Sequence, residues 1–306
     1  MPKKYATFHM LIINEEKYID GACISGYTYR KHCDNKLVDN NIMVDPSISD
    51  TGIKKLEKFF DNIFKINLVK INSDFETKTT KTIIRYSKWI DFAATKWLVL
   101  YYEQYEKILF CDIDTLAVED YTHIFSLNTP AWCIFHKKVL DNKHISNIVN
   151  RYETNNKIND KLIKKYTRMN LNKFCNNYMD KKIFIPVNAS ICLLKPSIND
   201  FKKMMEMVKR KVNKYGYYKS ISNISGPDEN ILLEYYLCQK RSKVHILGPE
   251  FLVTPWRYKI NHPLYNKIKK PIIYNYDSTE KPWLKEKKDL FPEEEIWYEI
   301  KTKIFN

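Results

Sequence analysis

No window of this 306-residue chain offers the roughly 20 consecutive apolar residues that a membrane-crossing helix needs. The apolar run in MPKKYATFHMLIIN is too short and too interrupted for a secretion signal, and it passes straight into strand-like sequence. No Cys-x-x-Cys pair occurs. The seven cysteines, at 23, 33, 111, 133, 175, 192 and 238, are odd in number, and Cys23, Cys111 and Cys192 lie inside apolar runs. That pattern implies reduced, mostly buried thiols in a reducing compartment and argues against a disulfide framework. Internal repeats and Gly/Ser linkers are also lacking. The expectation is one soluble, cytoplasmic domain over residues 1–306.

What is present is a sizeable core and an excess of positive charge. Hydrophobic residues make up 44% of the chain, and a chain this long can bury roughly three quarters of its unfolded surface. The net charge is +15 and unevenly placed: residues 136–182 hold 12 Lys+Arg against 4 Asp+Glu. This segment reads as a basic helical insert, either a solvated face or a surface that steers an anionic ligand such as a nucleotide or acidic glycan. The charge alone leaves nucleic-acid binding open as an alternative, but no recognition motif accompanies it, so nucleic acid is not the expected partner. The abundance of Lys, Asn and Ile is what an AT-rich genome, such as that of a giant virus, would produce.

Strand-like and helix-like runs alternate through the first 135 residues. Strands are expected at 6–13, 41–45, 63–69 and 107–111, with helices at 18–32, 49–61 and 86–104 between them. Ser49 stands where a helix N-cap belongs, and Ile53, Leu56, Phe59 and Phe60 follow at helical spacing. Beyond the insert, 189–195 and 243–247 read as strands, and 199–212 and 226–238 as helices. The Pro-, Trp- and Tyr-rich last 60 residues are expected to wrap this core. Alternation of this kind implies an α/β fold with a mainly parallel sheet flanked by helices.

The stretch KILFCDID, residues 107–114, carries the first chemical signal. Ile108 to Cys111 form a continuous apolar run, the signature of a strand buried on both faces. Asp112 and Asp114 follow at once, at the C-terminal edge where open α/β sheets bind ligands. Two adjacent carboxylates repel unless a cation neutralises them, and hard divalent cations take oxygen ligands beside substrate phosphates. The plainer alternative is a capping pair before a short helix at 119–125.

Residues 95–116, TKWLVLYYEQYEKILFCDIDTL, resemble the core signature of glycogenin and the wider glycosyltransferase family 8. Further segments follow in that family's order: Tyr18, Gly21, Gly26 and His32 at its spacing, then NASICLLKPS (188–197), GPDENILL (226–233) and KPWL (281–284). The resemblance spans about residues 6–284 and implies a single GT-A-type nucleotide-sugar domain. Residues 1–135 would be its nucleotide-binding half, 136–182 the insert, and 183–306 the acceptor and sugar side with the C-terminal wrap.

The resemblance also implies roles. Asp112 and Asp114 would hold manganese, or magnesium in its place, against the two phosphates of a UDP-sugar donor. Ile13, Asn14, Tyr18 and Ile113 would frame the nucleotide, and Lys281 would bind the diphosphate. Lys96 would approach the donor sugar or phosphate, and Asn188 and Asp228 would face the transferred sugar. A metal and a lysine stabilise the charge that grows on departing UDP. The activity implied is retaining transfer of a hexose or N-acetylhexosamine to a hydroxyl acceptor, a glycan, a protein or a small polyol. A homodimer stays open, as does a virion or viral-factory location for a viral product.

Departures from the family leave alternatives standing. The family's third metal ligand is a histidine shortly before Lys-Pro-Trp, where this chain has Tyr274; Asp277, His262 and His245 are substitutes, although His245 sits too soon after Asp228 and reads as structural. The family's Ser-Gly is Ala189-Ser190, and its Gln after Asp is Glu229, an extra carboxylate near the sugar or an acid favoured by a helix N-terminus. A catalytically weak nucleotide-sugar-binding partner protein and a self-glycosylating primer therefore remain open.

Overall fold

The computed structural model describes residues 3–73, 89–134, 187–220, 226–242, 244–254, 270–277 and 281–305. The basic segment 136–182 and His262 lie outside the described residues. In chain order the elements are β1 (Tyr5–Leu11), α1 (Glu16–Lys31), β2 (Val38–Val44), α2 (Asp50–Leu56), β3 (Asn62–Lys65), β4 (Lys107–Cys111), β5 (Thr115–Ala117), β6 (Ala131–Ile134), β7 (Val187–Leu194), α3 (Ile198–Tyr215), α4 (Pro227–Leu233), β8 (His245–Leu247), β9 (Ile273–Asn275) and α5 (Pro292–Phe305). They fall into two compact units: Met1–Asn67 with Lys107–Ser126 and Gly248–Asn306, and Leu68–Glu106 with Leu127–Leu247.

The first unit contains a parallel sheet in the order β3-β2-β1-β4. Its inner strands are buried along almost their whole length without alternation, as strands covered on both faces are, although Thr7, His9, Asn40 and Asn41 are among the buried residues. Ile108, Leu109, Phe110 and Cys111 are all fully buried. Glu16 in the first turn of α1, and Arg30 and Lys31 in its last, match the sign of the helix dipole at each end. Midway along α1, Gly26 lies so close to the Phe60 ring that a Cβ there would sit 2.5 Å from it. The Ser49 hydroxyl accepts from the Gly52 N–H and caps α2, as the sequence suggested. An antiparallel ribbon, β5 with β9, and the C-terminal helix α5 complete the unit.

The second unit holds β7, β6 and β8 side by side, with β6 antiparallel to β7 and parallel to β8. α3 is capped by the Ser197 hydroxyl on the Asp200 N–H and ends at Gly216, whose φ of +80° is the left-handed turn that favours glycine. Two expected α-helices take other forms. Ile90–Tyr101 is a 3-10 helix, and α4 runs into a π-helical turn over Glu234–Gln239. Three residues per turn put Ala93, Lys96 and Val99 in one row. Ala93 and Val99 are fully buried, which draws the Lys96 stem inward with them.

Candidate active site

In the first unit β4 delivers the two aspartates. The chain turns after Cys111: the Thr115 N–H and the Thr115 hydroxyl both donate to the Asp112 carbonyl, the latter at 2.6 Å. The Tyr29 hydroxyl donates in turn to Thr115 Oγ1 at 3.0 Å. Asp114 is fixed from the far strand, because the Tyr276 N–H donates to its carbonyl at 2.8 Å. The Lys281 ammonium donates to Asp114 Oδ2 and, at 2.8 Å, to the Tyr276 carbonyl.

Lys281 reaches that place because the next residues are anchored. Trp283 is buried against Gly21 of α1, where a Cβ would lie 3.1 Å from its ring. Tyr18 meets the same indole edge-on at a centroid distance of 5.7 Å, and Trp297 of α5 packs behind it at 5.8 Å. A glycine in α1 and a tryptophan two residues after Lys281 thus act together: the small residue makes the slot that the large one fills. Ile13 is half-buried at the start of the loop after β1. Asn14 ties this loop to the start of α2, donating to the Ser47 carbonyl at 2.7 Å and accepting from the Ser49 N–H at 3.3 Å. Ile113 packs at the margin of the α1–α2 core.

The donor set fits a cation. Asp114 Oδ1 is buried and has no hydrogen-bond partner, a state that costs about 1–3 kcal/mol unless something fills it. Among the described residues no group of three or more His, Cys, Asp and Glu stands together as a metal site. Tyr274 faces away from such a role: its side chain belongs to the aromatic core with Ile24, Leu116, Val253, Tyr276, Trp283 and Trp297. Its neighbour Asn275 is fully buried, and neither amide atom has a hydrogen-bond partner.

The second unit gathers the other candidates. Lys96 Nζ lies 2.8 Å from Asp228 Oδ2, with both side chains buried. The Trp97 indole N–H donates to the Asp228 carbonyl at 3.3 Å, which fixes the first turn of α4 against the 3-10 helix. Glu229 bridges two segments: it accepts from the Gly226 N–H at 2.9 Å and from the Ala189 N–H at 3.3 Å. Burial, and then the neighbouring Asp228 charge, push the Glu229 carboxyl up from 4.5 to about 8, against the pull of these N–H groups and Lys96. Asn188 starts a break in the β6–β7 ladder, where pairing jumps from Trp132–Cys192 to Cys133–Asn188. There its side-chain oxygen accepts from the Ser190 N–H at 2.8 Å, and such breaks re-aim side chains. His245 lies in β8, its backbone N–H on the Pro130 carbonyl, as a structural residue would.

The structure resembles solved glycosyltransferases along almost its whole length. An active-site mutant of LgtC superposes with a TM-score of 0.57 at 14% identity, covering 97% of this chain and 95% of that one. The galactosyltransferase LgtC in complex with donor and acceptor sugar analogs gives 0.56 at 14% identity, covering 98% and 96%. The fold is that of the GT-A glycosyltransferases. The glycosyltransferase GlyE of Streptococcus pneumoniae matches at 0.53 and 14% identity over 98% of this chain and 60% of that one. In sequence, an uncharacterized protein of Acanthamoeba polyphaga mimivirus is 25% identical over 304 residues, 97% of this chain and 89% of that protein. No family model matches the chain. Among the described residues no helix is long and apolar enough to cross a membrane.

Proposed function

We propose that this chain is a glycosyltransferase of the glycogenin-like family 8 type, moving a hexose or N-acetylhexosamine from a UDP-sugar to a hydroxyl acceptor with retention of configuration. The observation that carries the reading is the state of Asp114. One carboxylate oxygen meets Lys281 and the other is buried without a partner, beside Asp112 at the C-terminal end of a buried parallel strand. The open oxygen of Asp114, beside a second carboxylate, is suited to a divalent cation and the phosphates that cation carries once the lysine turns to those phosphates.

Asp112 and Asp114 would hold manganese or magnesium in this reading, and that ion would supply the positive charge that a leaving diphosphate needs. Lys281, already oriented by Asp114 and the Tyr276 carbonyl, is placed to turn its ammonium to the diphosphate. Asn14 and Tyr18 border the nucleotide. Asp228 faces the transferred sugar, with its carboxylate 2.8 Å from the Lys96 ammonium. Asn188 supplies a neutral hydrogen-bonding group to the sugar hydroxyls. The similarity to LgtC, solved with donor and acceptor sugar analogs, supports the substrate class for the fold.

A panel of UDP-sugars incubated with Mn²⁺, with and without candidate acceptors, and read as free UDP release tests the proposal. One donor should stand out, and chelator should abolish release. UDP binding without turnover of any donor would overturn the assignment as an enzyme. Intact-mass measurement after incubation with the preferred donor reads self-glycosylation in the same experiment.

A further inference from the structure

Where α3 ends, the chain turns and presents one tyrosine between two lysines. The Gly216 N–H donates to the Val212 carbonyl at 2.8 Å, and a Cβ on Gly216 would meet nothing within 4 Å. Beside this open space Tyr215 is 40% exposed. The ammoniums of Lys214 and Lys219 each lie 5.1 Å from the centroid of its ring.

The turn is built from the inside. Tyr218 is fully buried, and its hydroxyl donates to Glu234 Oε2 at 3.2 Å. Lys211 donates to the same oxygen at 2.6 Å and to the Lys219 carbonyl at 2.9 Å, with its ammonium 5.2 Å from the Tyr218 ring centroid. Glu234 continues the helical run that begins at Pro227 and carries Asp228. Buried groups therefore hold the backbone of the turn, and the exposed ring and its two lysines stand on a fixed base.

Charge compensation separates the three lysines. Lys211 has Glu234 as its counter-ion, whereas among the described residues Lys214 and Lys219 meet no carboxylate. Sharing one ring, these two ammoniums are no more than about 10 Å apart, close enough to repel each other in roughly 0.1 M salt. Lys214 also meets the negative end of α3, but Lys219 lies beyond the helix. A hydrogen bond from Lys214, then its charge and those of Lys219 and Lys211, hold the Tyr215 hydroxyl below the usual phenol range. The positive surface continues along α3, where Lys202, Lys203, Lys209 and Arg210 are exposed.

We propose that this turn is an accessory saccharide site, which stacks a sugar ring of an acidic acceptor glycan on Tyr215 and pairs its anionic group with Lys214 and Lys219. The carbohydrate class rests on the glycosyltransferase reading above; the demand for an anion rests on the two uncompensated lysines. The C–H groups of a pyranose carry the partial positive charge that the negative face of an aromatic ring attracts. Single-stranded nucleic acid is held by successive stacking rings along a basic groove. In this turn one ring is exposed, since Tyr217 is half-buried and Tyr218 buried.

Calorimetric titration of the full chain with tetragalacturonate, with uncharged maltotetraose and with a short single-stranded RNA tests this without reference to turnover. Tetragalacturonate should bind about tenfold or more tighter than either of the others. Tyr215→Ala should weaken it by about tenfold, and Tyr215→Phe should keep it, because stacking needs the ring and not the hydroxyl. Lys214→Gln together with Lys219→Gln should bring tetragalacturonate down to the level of maltotetraose. These side chains are exposed, so the melting temperatures of the variants and their hydrolysis of the preferred UDP-sugar should match the parent's. Equal affinity for the charged and uncharged saccharides, or no binding of tetragalacturonate, would overturn the site. RNA bound as tightly as tetragalacturonate would overturn it in favour of nucleic acid. Selective tetragalacturonate binding by a protein that turns over no donor would support the site and remove the enzyme reading alone.

Discussion

Lys96 and Asp228 form an ion pair at 2.8 Å with side chains only 7% and 5% exposed. A charge at this depth persists only when it is compensated. The pair joins the 3-10 helix to the first turn of α4, and Glu229 sits beside it with its carboxyl pushed up to about 8. Three ionisable groups thus share one buried place, and the proton on Glu229 keeps their sum near neutral.

Removing either member of the pair should have unequal consequences. Lys96→Met leaves Asp228 without a cation, and breaking a buried pair from one side costs about 3–5 kcal/mol. Asp228→Asn leaves Lys96 facing Glu229. The Asp228 charge is one reason that Glu229 holds its proton, so its removal lets Glu229 ionise and take over as counter-ion. Asp228→Asn should therefore lose clearly less stability than Lys96→Met, while turnover drops by a factor on the order of 10²–10⁴ if Asp228 faces the transition state. Denaturant unfolding and UDP release decide both points. Equal destabilisation by the two variants would remove Glu229 from the account, and full activity in Asp228→Asn would remove Asp228 from the site.

Glu229 should also leave a mark on stability against pH. Its carboxyl is raised from 4.5 to about 8 in the folded protein, so between these values the native state holds a proton that the unfolded state has released. Stability from this group is complete below about pH 4.5 and is lost as pH rises to about 8, with a slope of at most about 1.4 kcal/mol per pH unit. Glu229→Gln removes the titration. The melting temperature of the variant minus that of the parent should climb from pH 5 to pH 8 and level off beyond. A difference that stays flat over this range would show that Glu229 is ionised at neutral pH.

The order of the strands and the place of β4, with the two aspartates at its end, were legible in the sequence because apolar runs and the residues that terminate them are local signals. Strand 107–111 falls where the run of Ile, Leu, Phe and Cys put it. The Ser49 cap is equally local. What the sequence hid depends on contacts between distant segments. That Glu229 clamps Ala189 to Gly226 requires a strand and a helix start 40 residues apart to meet. That Tyr274 faces the core while its neighbour Asn275 takes the other face of the ribbon depends on the register, and one residue of slip exchanges the two faces. The 3-10 form of Ile90–Tyr101 changes which residues align with Lys96, and no composition rule separates it from an α-helix.

The contact of Gly26 with Phe60 makes a packing prediction. A Cβ at position 26 would fall 2.5 Å from the Phe60 ring, and Phe60 is held in the core with Leu11, Ile42 and Phe59. Gly26→Ala should cost about 1–3 kcal/mol through overpacking, more than its gain in helix propensity returns. Phe60→Leu should cost less in the Gly26→Ala background than in the parent, since the smaller side chain makes room. Additive losses in this double-mutant cycle would mean that the helix shifts as a whole instead of meeting the ring.

Lys281 and Asp112 should respond to substitution with opposite signs in one measurement. The Lys281 ammonium now occupies Asp114 Oδ2, so it competes with any cation for that carboxylate. Lys281→Ala removes the competitor. Mn²⁺ affinity in the absence of UDP should rise several-fold, because a nearby like charge no longer opposes the metal. UDP affinity in saturating Mn²⁺ should fall at the same time, because the diphosphate loses its lysine partner. Asp112→Asn should instead weaken Mn²⁺ binding both without and with UDP. Since metal and nucleotide each enhance the other's binding by one shared factor, the loss of UDP affinity in Asp112→Asn should disappear when both proteins are compared in chelator. Calorimetry with four titrations per variant supplies the whole cycle. Weaker Mn²⁺ binding in Lys281→Ala without UDP would show that the lysine orders Asp114 for the metal instead of competing with it, and would reverse the role assigned to it here.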